Sequence, residues 1–253
     1  MIRIRELYKS FDEKFVLNNI NLDINKAETK VIIGRSGAGK SVLLKTINGL
    51  IRPDSGLIEI EGVDVIQLSE KEAHKLRGKI GMVFQNGALF DSLSVAENVS
   101  FYLDEFMRFS SNDIKEKVAE ALGMVGLPGT ERLMPSSLSG GMRKRVSLAR
   151  VLCMEPEIIL YGEPTTGVDP VTADALNNLI IELRDKLKVT SIVVTHDMSA
   201  AFKVADSIAM LYSGTIIADG RVEEIRQCDH PVVQQFIHGK AQGPITDNAM
   251  VDL

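Results

Sequence analysis

The sequence has no tryptophan, only two cysteines and no surplus of positive charge, and each shortage removes a class of function. Cys153 and Cys228 are too few and too far apart for a disulfide framework or a thiolate zinc cluster, so redox and metal–thiolate chemistry drop out. Lysine and arginine number 29 against 34 aspartates and glutamates, a formal net charge of −5 that argues against a polybasic nucleic-acid binder. No apolar stretch approaches the roughly 18–20 residues needed to cross a bilayer. The opening Met1-Ile2-Arg3-Ile4-Arg5-Glu6 lacks the apolar segment of a secretion signal, so a cytosolic location is expected. Internal repeats and low-complexity tracts are missing too. What remains is a globular mix of 253 residues, 45% hydrophobic and 25% charged, enough for one sizeable core or two small ones and too apolar for intrinsic disorder.

Along the chain, β-rich segments are expected at 2–7, 15–17, 20–24 and 30–33, separated by turn-prone Asp, Asn and Lys. Residues 34–41 are glycine-rich, and Val42, Leu43, Leu44 and Ile47 then recur at helical spacing until Asn48-Gly49. Further strands are expected at 57–60, 80–84, 158–161 and 191–195, the last three being apolar runs suited to the interior of a parallel sheet. This is an α/β core. Residues 94–154 read as a helical insertion, with Ile114, Val118, Leu122 and Val125 on one face and Gly126-Leu127-Pro128 as a stop. A helix is expected over 197–205, then a hairpin turning at Ser213-Gly214 between 207–212 and 215–218. Beyond Gly239 the chain is polar without a clear period, either a loose end or an arm that orders on a partner.

Gly34-Arg35-Ser36-Gly37-Ala38-Gly39-Lys40-Ser41 fits G-x-x-x-x-G-K-[ST]. Its glycines let backbone N–H groups curl around an anion, and the following helix offers its positive N-terminus to phosphate. Lys40 is expected on the β- and γ-phosphates. Ser41 is expected on Mg²⁺, which takes hard oxygen ligands in near-octahedral array. Average composition yields such a match by accident in roughly one chain of this length in a hundred, and here it also stands between an expected strand and an expected helix. A ligand-free glycine turn is the lesser alternative. Phosphate binding by itself leaves kinases, GTPases, helicases and transport ATPases open.

Leu138-Ser139-Gly140-Gly141-Met142 precedes a segment carrying Arg143, Lys144, Arg145 and Arg150. Alone, Ser-Gly-Gly reads more readily as a helix N-cap and turn than as a ligand site. Together with the phosphate loop it resembles the signature sequence of ATP-binding cassette (ABC) proteins, usually Leu-Ser-Gly-Gly-Gln, with Met142 in the last place. The resemblance covers nearly the whole chain: Gln85 matches the Q-loop, Glu163 the catalytic glutamate, Gly167-Val168-Asp169 the D-loop and His196 the switch histidine. Phe11 falls where the family stacks an aromatic on adenine, with Phe-Asp in place of the commoner Tyr-Gly.

The resemblance implies an α/β P-loop NTPase (RecA-like) fold, an ABC nucleotide-binding domain with an N-terminal antiparallel β-subdomain and a helical subdomain. On this reading residues 1–238 are one domain, about 94–154 its helical part, and 239–253 a tail that contacts the dimer mate or another partner. It implies ATP and Mg²⁺ as cofactors, and a head-to-tail homodimer in which each ATP lies between one subunit's phosphate loop and the other's Ser139, Gly140 and Gly141. Ser41 and Gln85 would face the metal, Glu163 would orient or deprotonate the attacking water, His196 would contact the γ-phosphate, and Asp169 would join the nucleotide-binding set. In isolation His196 could be a surface or core histidine, Gln85 a strand-end polar group and Glu163 a solvated charge; their joint order favours the family roles. His74, His230 and His238 read as surface residues.

One departure matters. The family's Walker B segment is four apolar residues followed by Asp-Glu, whereas this chain reads Ile158-Ile159-Leu160-Tyr161-Gly162-Glu163. That aspartate commonly helps hold Mg²⁺, and P-loop ATPases rely on it. ATP binding should therefore survive better than hydrolysis, with weak Mg²⁺ affinity and slow turnover. A natural variant that tolerates the loss, a subunit that uses ATP as a switch, and a changed residue are all open.

The run Gly87-Ala88-Leu89-Phe90 after Gln85, residues 133–136 before the signature, and residues 239–244 resemble the ATPases of Mla/Mce-type lipid transporters, called MlaF-like. That likeness implies phospholipid or related hydrophobic cargo, a transmembrane permease, an Mce-domain substrate-binding protein and, in some members, a small STAS-domain regulator. The chain would then sit on the cytoplasmic face of the inner membrane through the permease. Alternatives are an importer of another small solute, a regulatory ATP-binding subunit with weak hydrolysis, and a cassette acting on DNA or the ribosome. Short length and negative charge disfavour the last, so no nucleic-acid partner is expected.

Overall fold

Alternation decides the first sheet. In β1 (Ile2–Phe11), Ile2, Ile4 and Leu7 are fully buried, while Arg3 and Arg5 point outward and pair with Glu59 and Asp23. Each buried isoleucine contributes about 1.5–3 kcal/mol of apolar burial, so this face anchors the strands to the core. In the computed structural model, which describes residues 1–107 and 109–249, the chain forms two units, Met1–Leu68 with Val194–Leu253, and Ser69–Val193.

In the first unit β1 is flanked by β2 (Lys14–Ile24) and, beyond β3 (Thr29–Ile33) and α1 (Lys40–Ile47) in the chain, by β4 (Ser55–Ile60), with β5 (Val63–Asp64) at the edge. The pairs are antiparallel, and Ile2 stands opposite both Ile24 and Ile60. Residues 15–17 and 20–24 belong to one strand rather than two. Asn19 lies at φ 54° and the register against β1 shifts nearby, so a bulge made the sequence look interrupted. β3 is buried at every residue and pairs in parallel with β9 (Ser207–Tyr212), which pairs antiparallel with β10 (Thr215–Arg221). This second, mixed sheet carries the phosphate loop.

The second unit begins with α2 (Glu70–Arg77), a helix with no buried residue, started by the Ser69/Glu72 capping box. β6 (Ile80–Val83) follows. The expected helical stretch resolves into α3 (Val95–Phe106), α4 (Ser111–Met124), a single 3₁₀ turn at Pro135–Ser137 and α5 (Gly140–Leu152). Val118, Leu122 and Val125 are buried as the helical face requires, while Ile114 is half-buried. β7 (Ile158–Gly162) pairs in parallel with β6. α6 (Pro170–Leu187) buries Leu176, Leu179, Ile180 and Leu183, and β8 (Thr190–Thr195), buried throughout, contains the boundary between the units.

α7 (Met198–Val204), α8 (Val222–Arg226), α9 (Pro231–Ile237) and α10 (Pro244–Ala249) complete the first unit. α10 replaces the loose end that the polar sequence suggested: residues 240–249 fold back on their own chain, while residues 250–253 lie outside the described residues. His74, His230 and His238 are exposed.

Candidate nucleotide site

In the first unit β3 delivers the chain into residues 34–39 and α1 begins at Lys40. Gly34 lies at φ 155°, and a Cβ there would stand 2.3 Å from the carbonyl oxygen of Leu211. Gly39, at φ 101°, would place a Cβ 2.7 Å from the carbonyl of Val16. Both positions therefore require glycine for left-handed backbone and close approach. α1 starts without a side-chain cap and has no acidic residue in its first turn, leaving a positive N-terminus suited to an anion. Lys40 is 5% exposed, and its Nζ donates to the carbonyls of Gly34 at 2.7 Å and Arg35 at 3.0 Å. Arg35, Ser36, Gly37 and Ser41 are exposed, and Ala38 is half-buried.

A cavity of about 620 Å³ adjoins this loop, lined by Phe15, Arg35, Ser36, Gly37, Tyr212 and Ile245 among others. Its aromatic walls come from Phe15 and Tyr212. Phe11 ends β1, paired with Lys14 across the turn and with the Lys9 ammonium 5.2 Å from its ring, and does not line the cavity. Phe15, 58% exposed, was not singled out by sequence; its position just past the turn at Asp12-Glu13 was the available signal.

A second cavity of about 570 Å³ brings Arg35 and Ser36 together with His196, Gln235 and Lys240. His196 follows β8 directly, and Asp197 fixes the next turn by accepting from the backbone N–H groups of Ser199 and Ala200. The tail supplies Ile245 to both cavities. It is held by buried Gln235, whose Oε1 accepts from the Ile245 N–H at 2.7 Å while Nε2 donates to the carbonyl of Lys240 at 3.1 Å. Arg35 donates to the carbonyl of Ile245 at 3.4 Å, tying phosphate loop to tail.

In the second unit the register Val83↔Tyr161 sets Gln85 and Glu163 each two residues past the last matched pair of adjacent parallel strands. Carboxyl ends of parallel strands are where α/β folds bind ligands. Gln85 is exposed. Glu163 is 9% exposed, sits at φ 52° and accepts a hydrogen bond from the Thr166 hydroxyl at 3.2 Å. A non-glycine residue held in left-handed backbone costs about 1–3 kcal/mol and is kept where the surroundings fix it.

Ser139 caps α5 by accepting from the Met142 N–H at 3.2 Å. A Cβ on Gly141 would stand 2.5 Å from the Thr172 methyl, and one on Gly140 would stand 3.8 Å from Val168, so both glycines lie against the segment that opens α6. Asp169 caps α6, accepting from the N–H groups of Val171 and Thr172 and from the Thr172 hydroxyl, which holds its carboxyl below the usual range. The four cations of α5 turn to backbone carbonyls: Arg143 to Leu138, Lys144 to Gln85 and Glu163, Arg145 to Val125, Arg150 to Gly87 and Ala88. Burial pushes Lys144 and Arg150 below their ordinary values. Sequence reading found these residues without their purpose.

Gly162 needs no glycine. Its φ is not left-handed, and a Cβ would meet only the Val83 carbonyl at 3.4 Å and the Gln85 amide at 3.7 Å, ordinary contacts. Among the described residues no grouping of three or more His, Cys, Asp or Glu could hold a metal ion. Ser41 in the first unit offers a neutral hydroxyl and Gln85 in the second a neutral amide, each an oxygen of the hard type that Mg²⁺ accepts.

Residues 17–166 match the family model described as ABC transporter. The chain is 41% identical, over 96% of its length and 70% of the relative's, to a probable ribonucleotide transport ATP-binding protein, mkl, of Mycobacterium leprae. It is 38% identical, over 97% of its length and 93% of the relative's, to the intermembrane phospholipid transport system ATP-binding protein MlaF of Haemophilus influenzae. A dimeric ATP-binding cassette solved in a post-hydrolysis state with ADP and Pi superposes with a TM-score of 0.81 at 32% identity, covering 88% of this chain and 99% of that one. Uncapped helix, glycine-walled loop and strand-end glutamate thus stand on an α/β P-loop NTPase fold, and the chain belongs to the ABC transporter family of ATPases.

Proposed function

We propose that this chain is the ATP-hydrolysing subunit of a transporter that moves phospholipid or a related hydrophobic molecule across the bacterial envelope. The ATP half of the reading is supported by the loop between β3 and α1, whose backbone curvature and uncapped helix suit a triphosphate. The lipid half is carried by one observation, the likeness to a phospholipid-transport ATPase over nearly the full length of both chains. Lys40 would turn from its loop carbonyls to the β- and γ-phosphates. Ser41 and Gln85 would hold Mg²⁺, which neutralises charge on the phosphates when bound. Glu163 would orient or deprotonate water, His196 would contact the terminal phosphate, and Phe11, on the same β1–β2 hairpin as the cavity-lining Phe15, would serve the adenine. Ser139, Gly140 and Gly141 of a second copy close over the nucleotide, with Asp169 in the set. Positioning and charge stabilisation supply most of the rate.

Among the described residues no helix is long and apolar enough to cross a membrane. The proposed cargo pathway lies in permease subunits, as the likeness to the phospholipid-transport ATPase suggests. An Mce-domain protein and a STAS-domain regulator complete the proposed assembly, seated on the cytoplasmic face of the inner membrane. Purifying the native complex and identifying its co-purified subunits and bound molecule by mass spectrometry tests the cargo: phospholipid with an Mce-domain subunit is expected, and a polar solute with a dedicated permease would overturn the reading. That second outcome corresponds to the runner-up, a small-solute transporter, which the name of the mycobacterial relative favours.

The domain proposal is residues 1–238 as one nucleotide-binding domain, with its helical part at about 94–154, and residues 239–253 as a contact for the second subunit. Truncation after Gly239 is expected to weaken ATP-dependent dimerisation about tenfold, read by light scattering with non-hydrolysable nucleotide. Unchanged dimerisation and assembly would eliminate that role. Gly162 keeps a weakly hydrolysing, switch-like subunit in view, and the metal dependence of turnover separates it from a motor.

A further inference from the structure

Gln85 and Glu163 leave neighbouring strands, and the segments that carry them have left the ladder that would hold their carbonyls. A backbone carbonyl inside the protein needs a donor. Lys144, one turn into α5, reaches both: its Nζ lies 2.8 Å from the carbonyl oxygen of Gln85 and 3.5 Å from that of Glu163, which also accepts from the Thr166 N–H at 3.3 Å. The side chain is buried, so an ammonium group has been taken from water for this contact, a cost that favours a specific arrangement over generic packing. Two turns further along the same helix, Arg150 donates to the carbonyls of Gly87 at 3.0 Å and Ala88 at 2.8 Å. These two residues are consecutive left-handed positions, at φ 75° and 47°, in a turn with little regular structure of its own. One helix therefore grips residues 85–88 at three carbonyls and the Glu163 segment at a fourth.

We propose that Lys144 is a positioning residue for ATP hydrolysis, whose ammonium group fixes the spacing between the Gln85 and Glu163 segments and makes them follow the helix that begins at the signature glycines. The inference rests on the roles proposed above for Gln85 and Glu163. Its physical content is that a displacement of α5 reaches both residues through one cation. Arg150 secures the turn beyond Gln85, and Lys144 is the cation of α5 that reaches both carbonyls.

The test uses the full chain, in the wild-type and Gly162→Asp backgrounds. Lys144→Met keeps the length of the side chain and removes the donors. It is expected to lower kcat at saturating Mg-ATP at least about tenfold while nucleotide affinity, set by the phosphate loop, stays within about twofold. Amide hydrogen exchange over residues 84–90 should accelerate, and Lys144→Arg should restore both kcat and protection. Turnover of Lys144→Met within about twofold of its parent, a loss confined to KM, or no rescue by arginine overturns the proposal. If Lys144→Met does not fold, Lys144→Gln against Lys144→Arg decides: glutamine, too short to span both carbonyls, should lose kcat while arginine keeps it, and equal rates refute the clamp. Glu163→Gln run in parallel separates the two levels of argument. If it hydrolyses normally the site assignment fails; if it is inactive while Lys144→Met is active, only the clamp fails.

Discussion

Glu163→Gln is expected to reduce steady-state ATP hydrolysis at least about 100-fold while leaving nucleotide binding within about twofold, because the amide keeps the shape of the carboxylate and loses its basicity. The structure makes this a clean substitution. Glu163 is nearly buried at the end of β7, its backbone conformation is fixed, and the contact from the Thr166 hydroxyl can be accepted equally by an amide oxygen. Cleavage should therefore stall after closure, and an ATP-bound dimer should accumulate. Phosphate release measures the first consequence and light scattering the second. Turnover equal to that of the wild type would remove Glu163 from the water-activating role.

Gly162→Asp should act in the opposite direction. The added Cβ makes only ordinary contacts with the Val83 carbonyl and the Gln85 amide, so the backbone accepts the side chain without moving. A carboxylate there would add the charged oxygen that Mg²⁺ sites in P-loop ATPases ordinarily have. At limiting Mg²⁺ the substitution is expected to raise the ATPase rate about tenfold, corresponding to about 1.4 kcal/mol, and to lower the metal concentration for half-maximal rate by a similar factor. At saturating Mg²⁺ the two rates should converge if metal affinity is the whole difference. Equal rates at limiting metal would show that the chain manages without the aspartate.

Much of the fold was legible because local and tertiary demands coincide. The phosphate loop announces itself by glycine spacing, and β3 and α1 flank it because five consecutive buried residues give way to apolar positions at helical spacing. Ser139 could be read as an N-cap, and it is one. α6 opens with Asp169 as cap and Pro170 in its first turn, start signals that the sequence does carry. α2 has no buried residue, so it left only its capping box as a trace. α10 was beyond local reading altogether: six residues cannot sustain a helix alone, and this one depends on Gln235, ten residues from Ile245 in the chain. The purpose of the α5 cations was likewise invisible, because their partners are carbonyls, which carry no residue identity.

Lys40 has a consequence for the kinetics of nucleotide capture. Its ammonium bonds the carbonyls of Gly34 and Arg35 from within the loop, an internal strut that braces the curved backbone. A braced loop has little backbone entropy left to lose on meeting a triphosphate, so capture is expected to be fast.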